Sequence, residues 1–205
     1  MSNLAVFASG RGSNFQNLYH RIVEGKIKAQ IGCLITDNPA AGAIGFAEKN
    51  RINVFIIPPK DFSSPEEFGR ELLKILSRNK IEWIILAGYL KKIPDNVVLE
   101  YSNRIINIHP ALLPAFGGKG MYGIHVHREV LASGAKISGV TVHLVNNEYD
   151  KGPIVMQQAV DIENCQTPEE IAATVLKIEH QLYYKAVQKL LASPHKIVGN
   201  RVVFE

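Results

Sequence analysis

The stretch AVFASGRGSNFQNL, residues 5–18, decides how the fold is read. It begins apolar, passes through SGRGSN, and ends with Phe15 and Leu18 at helical spacing. A strand that runs into a glycine turn and then a helix opens a β-α crossover. Gly10 and Gly12 permit a tight turn and close backbone approach to a ligand. Ser13 and Asn14 set side-chain donors beside the free amides of a helix N-terminus, which suits a phosphate. Three uses of this loop stay open on the residues alone: a phosphate cradle, a plain tight turn, or a dinucleotide site. The last wants a third glycine where Phe15 stands, although Asp37 ends the next strand, where a ribose-binding acid sits in such sites. No Lys-Ser or Lys-Thr pair follows, so the loop is not of the Walker type.

The alternation continues outward from that unit. Strands are predicted over 4–8, 29–36, 53–57, 81–87 and 105–108, and helices over 15–23, 40–49 and 65–78. Ser64 caps the third helix, with Pro65 first and Glu67 three residues after the cap. Strands this continuously apolar are covered on both faces, and helices between them imply a mostly parallel sheet. Later, a helix is predicted over 124–131, and strands over 138–145 and 153–160 pair antiparallel across NNEYDKG. TPEE, with Thr167 as cap and Glu170 closing the box, opens a long helix to about residue 191. HKIVGNRVVFE reads as a terminal hairpin turning at Gly199-Asn200. The expected organisation is one domain over 1–192, with 193–205 a short hairpin or tail packed on it.

The bulk numbers narrow the function. The 205 residues carry a net charge of +4 from scattered cations, with no dense basic run. That pattern argues weakly for anionic ligands and hardly at all for nucleic acid. Two cysteines, Cys33 and Cys165, make no disulfide framework. No 18-residue apolar stretch and no signal segment occurs, so no membrane span is expected and the expected location is cytoplasmic.

A second stretch raises a chemical question. RIINIHPALLP, residues 104–114, begins as a buried strand and ends by presenting Asn107 and His109, which share a face if the strand continues through them. A structural Asn/His pair is one reading. The functional reading needs a third group, and Asp150 in EYDKGP is the candidate, because Gly152 and Pro153 fix the chain beside it. An amide donor stabilises oxygen charge on a carbonyl. A histidine moves protons near neutral pH, and a carboxylate orients it and favours its charged form. No serine or cysteine stands ready as a nucleophile, which favours direct transfer between two bound substrates. His125, His127 and His143 offer a zinc reading, but their spacing is not diagnostic.

SGRGSN, NIHPALLP and DKGPIVMQ together resemble the folate-dependent formyltransferases, and the early loop and short length point to their glycinamide ribonucleotide branch. The resemblance runs over about residues 3 to 190 and implies the Rossmann-like α/β formyltransferase fold. It implies formyl transfer from 10-formyltetrahydrofolate, as a co-substrate, to the amine of 5-phosphoribosylglycinamide in purine biosynthesis. It places catalysis on Asn107, His109 and Asp150, the ribonucleotide phosphate on Gly12, Ser13 and Asn14, and another ribonucleotide contact on Glu179 in KIEHQLYY. Folate binding falls on Tyr89, Leu90, Lys91, Lys92 and Ile93 of AGYLKKIP, with Asn107 and Val145. Leu90 and Ile93 lie nearest the pterin in this reading. It implies no metal, no nucleic-acid or membrane partner, and a monomer or homodimer.

The pattern departs from the family in two places. Pro65 or its neighbours stand where the family often has an arginine, so that anion contact is missing or moved to Arg70 or Lys60. GGKGMYG, residues 117–123, is longer than in many members, and Lys119 within it reads as a solvent-exposed lysine. The competing readings are a formyltransferase for another amine and a non-catalytic phosphometabolite-binding module. A transfer-RNA formyltransferase would be expected to carry a further C-terminal domain. A formyltetrahydrofolate hydrolase would be expected to carry an N-terminal regulatory one.

Overall fold

The computed structural model describes residues 1–205, which divide into two compact units, 1–106 and 107–205. In the first, strands β1 (Ser2–Phe7), β2 (Ala29–Thr36), β3 (Asn53–Ile56) and β4 (Trp83–Leu86) alternate with helices α1 (Ser13–Val23), α2 (Ala43–Lys49) and α3 (Pro65–Arg78). The strand order is β3-β2-β1-β4 and every pairing is parallel. This follows from the apolar strands: Leu4 to Phe7, Leu34, Ile35, Ile84 and Ile85 have no exposed surface, so both faces of the sheet are covered. In open α/β sheets ligands gather at the loops beyond the carboxyl ends of the strands.

Local signals set the helix ends. The Ser64 hydroxyl accepts the Glu67 N–H at 3.2 Å, and α3 buries Phe68, Leu72, Ile75 and Leu76 as its spacing predicts. The helix predicted from residue 40 starts three residues later. The Asn38 side chain takes the Ala40 N–H at 2.9 Å and holds the chain in a turn, an alternative partner that competes with helix formation. Two short pieces are additional: a 3₁₀ turn at Pro59–Asp61, and helix α4 (Asp95–Glu100) behind Pro94, too short for its spacing to register.

Strand β5 (Ile105–His109) ends the first unit and begins the second. The second continues through α5 (Ile124–Ala132), β6 (Ile137–Leu144), β7 (Ile154–Asp161), α6 (Pro168–Ala192), β8 (His195–Val198) and β9 (Arg201–Phe204), in the strand order β5-β6-β7-β9-β8. As predicted, β6 and β7 pair antiparallel and the terminal segment is an antiparallel hairpin. The Thr167/Glu170 capping box opens α6, which packs on β6, β7 and α5 and buries Ile171, Val175, Leu182 and Ala186. No helix is long and apolar enough to cross a membrane.

Candidate active site

Within the first unit the glycine loop turns at Gly12, whose φ of 73° is left-handed. A Cβ there would lie 2.8 Å from the Ala43 Cβ, so glycine lets α1 sit against α2 as well as permitting the turn. With glycine as N-cap, α1 begins without a side-chain cap and with no acidic residue in its first turn. Its partial positive charge therefore meets no acidic side chain of its own first turn, which suits an anion. Phe15, at the place of a third dinucleotide glycine, is fully buried and meets Phe46 edge-on at 5.3 Å. Asp37 takes the Ser9 hydroxyl at 2.5 Å, while Ser9 Oγ accepts the Leu90 N–H at 3.0 Å. The carboxylate thereby ties the ends of β1 and β2 to AGYLKK, which together with Phe15 weighs against the dinucleotide reading.

Residues 89–93 divide by exposure. Tyr89 is buried edge-on to Phe7 at 5.2 Å, and burial, with the nearby Asp37 charge, raises its phenol far above the ordinary value. Ile93 is buried, whereas Leu90 is 50% exposed. Lys92 pairs with Asp95 at 2.9 Å, and Lys91 stands 3.7 Å from Asp37. Lys91 and Lys60 border a cleft of about 400 Å³ walled by Pro39, Pro58 and Pro59, with Asp37 and Asn38 in its lining.

The second unit gathers Asn107, His109 and Asp150, and adds a residue that the sequence reading considered only as a metal ligand. Strand β5 runs through His109, so Asn107 and His109 share a face. His143, 2% exposed on β6, sets Nε2 3.1 Å from Asn107 Nδ2 and 3.6 Å from Asp150 Oδ1. Asp150 Oδ2 lies 3.7 Å from His109 Nδ1 and accepts the Gly118 N–H at 2.9 Å. His109 Nε2 donates to the Phe116 carbonyl at 2.8 Å. The glycine-rich loop therefore holds two members of the group through its backbone. That hold needs unusual backbone: Phe116 (φ 53°) and Asp150 (φ 55°) are both left-handed, a strain of about 1–3 kcal/mol each that surrounding contacts must offset. Behind Asp150, a Cβ on Gly152 would stand 1.8 Å from the Leu144 carbonyl oxygen, so only glycine lets the chain return to β7 there. Thr141 Oγ1 donates to the Ala111 carbonyl at 2.7 Å and accepts the Leu113 N–H at 3.0 Å, which fixes the proline-rich segment.

Electrostatics modify the sequence expectation. Burial pushes the His109 imidazole below its ordinary value and outweighs the opposing pull of Asp150, so the resting ring is neutral rather than charged. Burial works to raise Asp150, but contact with His143, the His109 imidazole whenever it is protonated, and the Gly118 N–H outweigh it, and the carboxyl stays below its usual range. The His143 contribution requires a proton on Nε2, which competes with the Asn107 N–H for the same nitrogen. The shorter Asn107 distance favours a bare Nε2, leaving the Gly118 N–H as the firmer support of the carboxylate. His127 is buried on α5 with Nδ1 unpartnered, and burial, then the nearby His109, lowers it to about 4. His125 is exposed and meets Tyr122 edge-on, and Lys119 is exposed. Val145 is half-buried at the end of β6, and Glu179 half-buried on α6. No group of three or more His, Cys, Asp or Glu is placed to hold a metal ion.

His143 did carry a sequence signal. Thr141 and His143 alternate against Val140, Val142 and Leu144, which puts two polar side chains on one face of a buried strand. The Phe116 carbonyl and Gly118 amide carried none, because backbone groups acquire a role only through loop conformation.

Residues 2–187 match the formyl transferase family. A chloroplastic phosphoribosylglycinamide formyltransferase of Arabidopsis thaliana is 46% identical over 90% of this chain, which spans 63% of that relative's length. The phosphoribosylglycinamide formyltransferase of Bacillus subtilis is 38% identical, covering 93% of this chain and 95% of its own. The crystal structure of glycinamide ribonucleotide transformylase 1 from Symbiobacterium toebii superposes with a TM-score of 0.93 at 31% identity, over 100% of this chain and 94% of that one. A formyltetrahydrofolate deformylase from Pseudomonas syringae, 22% identical with a TM-score of 0.88, shares the fold. Matched along nearly its whole length, and with the Asn107, His109 and Asp150 side chains drawn to one place, this chain belongs to the formyl transferase family, among the phosphoribosylglycinamide formyltransferases.

Proposed function

We propose that this chain transfers a formyl group from 10-formyltetrahydrofolate to the amine of 5-phosphoribosylglycinamide. The convergence of Asn107, His109 and Asp150 within one buried polar group carries the proposal. The family relationship supports the donor, since a formyl-folate is general to formyl transferases, and the relatives named phosphoribosylglycinamide formyltransferase support the acceptor. In this reading the amine attacks the formyl carbon directly. The Cys33 thiol, buried and pushed up to about 12, offers no covalent route.

The Asn107 amide then donates to the oxygen that gains charge in the tetrahedral intermediate. His109 takes up positive charge as that oxyanion forms and passes the amine proton toward the departing folate nitrogen, and Asp150 stabilises the imidazolium between the two events. Collapse of the intermediate breaks the bond to the folate nitrogen and leaves a formamide and tetrahydrofolate. Orientation of two bound reactants supplies much of the rate. The uncapped start of α1, with Gly12, Ser13 and Asn14, takes the substrate phosphate. Glu179 serves the ribonucleotide, Tyr89 to Ile93 and Val145 serve the folate, and Lys60 or Lys91 takes an anionic group of its tail.

The test is to supply both substrates to the purified chain and follow both products. Equal formation of tetrahydrofolate and formylated ribonucleotide, with kcat lowered about 10²–10³-fold in Asn107→Ala while KM holds, is expected. Tetrahydrofolate without formylated ribonucleotide would mark a hydrolase and overturn the assignment.

A further inference from the structure

We infer that His143 is a positioning residue that decides which end of the Asn107 amide faces the reacting carbonyl. The inference rests on the proposed formyl transfer and deepens it. His143 Nδ1 lies 2.9 Å from the Leu144 carbonyl oxygen, which can only accept, so Nδ1 carries the proton. A neutral ring then has a bare Nε2. That atom lies 3.1 Å from Asn107 Nδ2, which can only donate. One assignment satisfies both contacts: Nδ1–H to Leu144, and Asn107 N–H to Nε2.

The consequence is directional. An amide nitrogen has two hydrogens, and binding one to His143 pins the nitrogen while leaving the second to reach the developing oxyanion. Turned by half a rotation, the amide would set Oδ1 against the Nε2 lone pair and face the oxyanion with an oxygen, which is repulsive on both sides. Asp150 is the competitor, with Oδ1 3.6 Å from the same Nε2. A proton on Nε2 would satisfy Asp150 and displace the Asn107 N–H. His143 therefore acts through Asn107 only while Nε2 is unprotonated.

Two substitutions separate the ring's two contacts. In His143→Asn the shorter side chain replaces the Nδ1 side and removes the acceptor, whereas in His143→Gln the amide reaches the Nε2 position and can accept. His143→Asn is expected to lower kcat about tenfold to a hundredfold, part of the loss of a whole oxyanion donor, with KM for both substrates unchanged. His143→Gln recovers turnover relative to it. In an Asn107→Ala background, His143→Asn costs nothing further, because the two residues act as one unit. The same fold-loss in both backgrounds would overturn the inference and leave His143 a packing residue. Non-additivity with Asp150→Asn instead of Asn107→Ala would overturn it in favour of a role through the carboxylate. Should the variants not fold, nitrogen NMR of the unmodified chain reads the same contact. A bare Nε2 coupled through the hydrogen bond to Asn107 Nδ2 supports it, and a protonated Nε2 sinks it. That reading needs no turnover, so failure of formyl transfer in the unmodified chain would remove the proposed function separately.

Discussion

Acid should loosen this chain through His127 before it protonates the carboxylates. The side chain is 5% exposed, its Nδ1 has no partner, and burial holds it near 4 against an ordinary value of 6.5. The sign follows from the depressed value. Above about pH 6.5 the ring is neutral folded and unfolded, and it imposes no proton penalty. As pH falls from 6.5 toward 4, the unfolded chain takes up the proton and the folded one resists, so stability is lost across that window. The full difference of about 2.5 pKa units corresponds to about 3 kcal/mol, of which about 2 kcal/mol is lost by pH 5. Urea unfolding of the unmodified chain and of His127→Leu at pH 8 and pH 5 measures it. The leucine variant should be close to the parent at pH 8 and about 2 kcal/mol ahead of it at pH 5. An equal loss in both proteins between the two pH values would refute the argument that a buried neutral imidazole on α5 carries this part of the acid sensitivity.

Three further outcomes follow from local geometry. Ser64→Ala leaves the Glu67 N–H without its acceptor and should cost about 1 kcal/mol in chemical denaturation, with the proposed formyl-transfer kinetics unaffected. Gly152→Ala drives a methyl group into the Leu144 carbonyl and displaces the neighbouring Asp150, so it should lose about 3 kcal/mol or more and turn over poorly even where still folded. Tyr89→Phe removes a buried hydroxyl that has no hydrogen-bond partner, so a melting temperature equal to or above the parent's is expected, and a clear drop would contradict the assignment of that group as unpartnered.

The parts legible in the sequence are those set by neighbours along the chain. β2 spans the predicted residues, the Ser64 and Thr167 caps form as their spacing indicated, and Gly199-Asn200 turns the terminal hairpin. Apolar runs identified the parallel strands because burial on both faces leaves little freedom in composition. Legibility fell where a side chain or backbone group finds its partner across the fold. Asn38 delays α2 by competing for a backbone amide, and Phe116 serves His109 through a carbonyl that every residue type possesses. The nearness of Asp150 to His109 was anticipated, but the charge state was not. Proximity of a carboxylate predicts a charged ring, and the depth of burial that reverses the balance is a property of packing alone.

The terminal hairpin also sets the border of the sheet. β7 is eight residues long, and an uncovered edge of that length, with unpaired backbone groups, is a template for edge-to-edge association. β9 joins beside β7 at its first residue, where Ile154 pairs with Arg201, and sets β8, only four residues long, on its outer side. The new edge carries Lys196, its ammonium 3.9 Å from the Glu205 carboxylate, and the chain turns away immediately at Gly199. A short edge with a charge upon it is a poor seed for β-stacking. These last residues lie beyond the family match that ends at 187, and they place a short strand that carries charge at the border of the sheet.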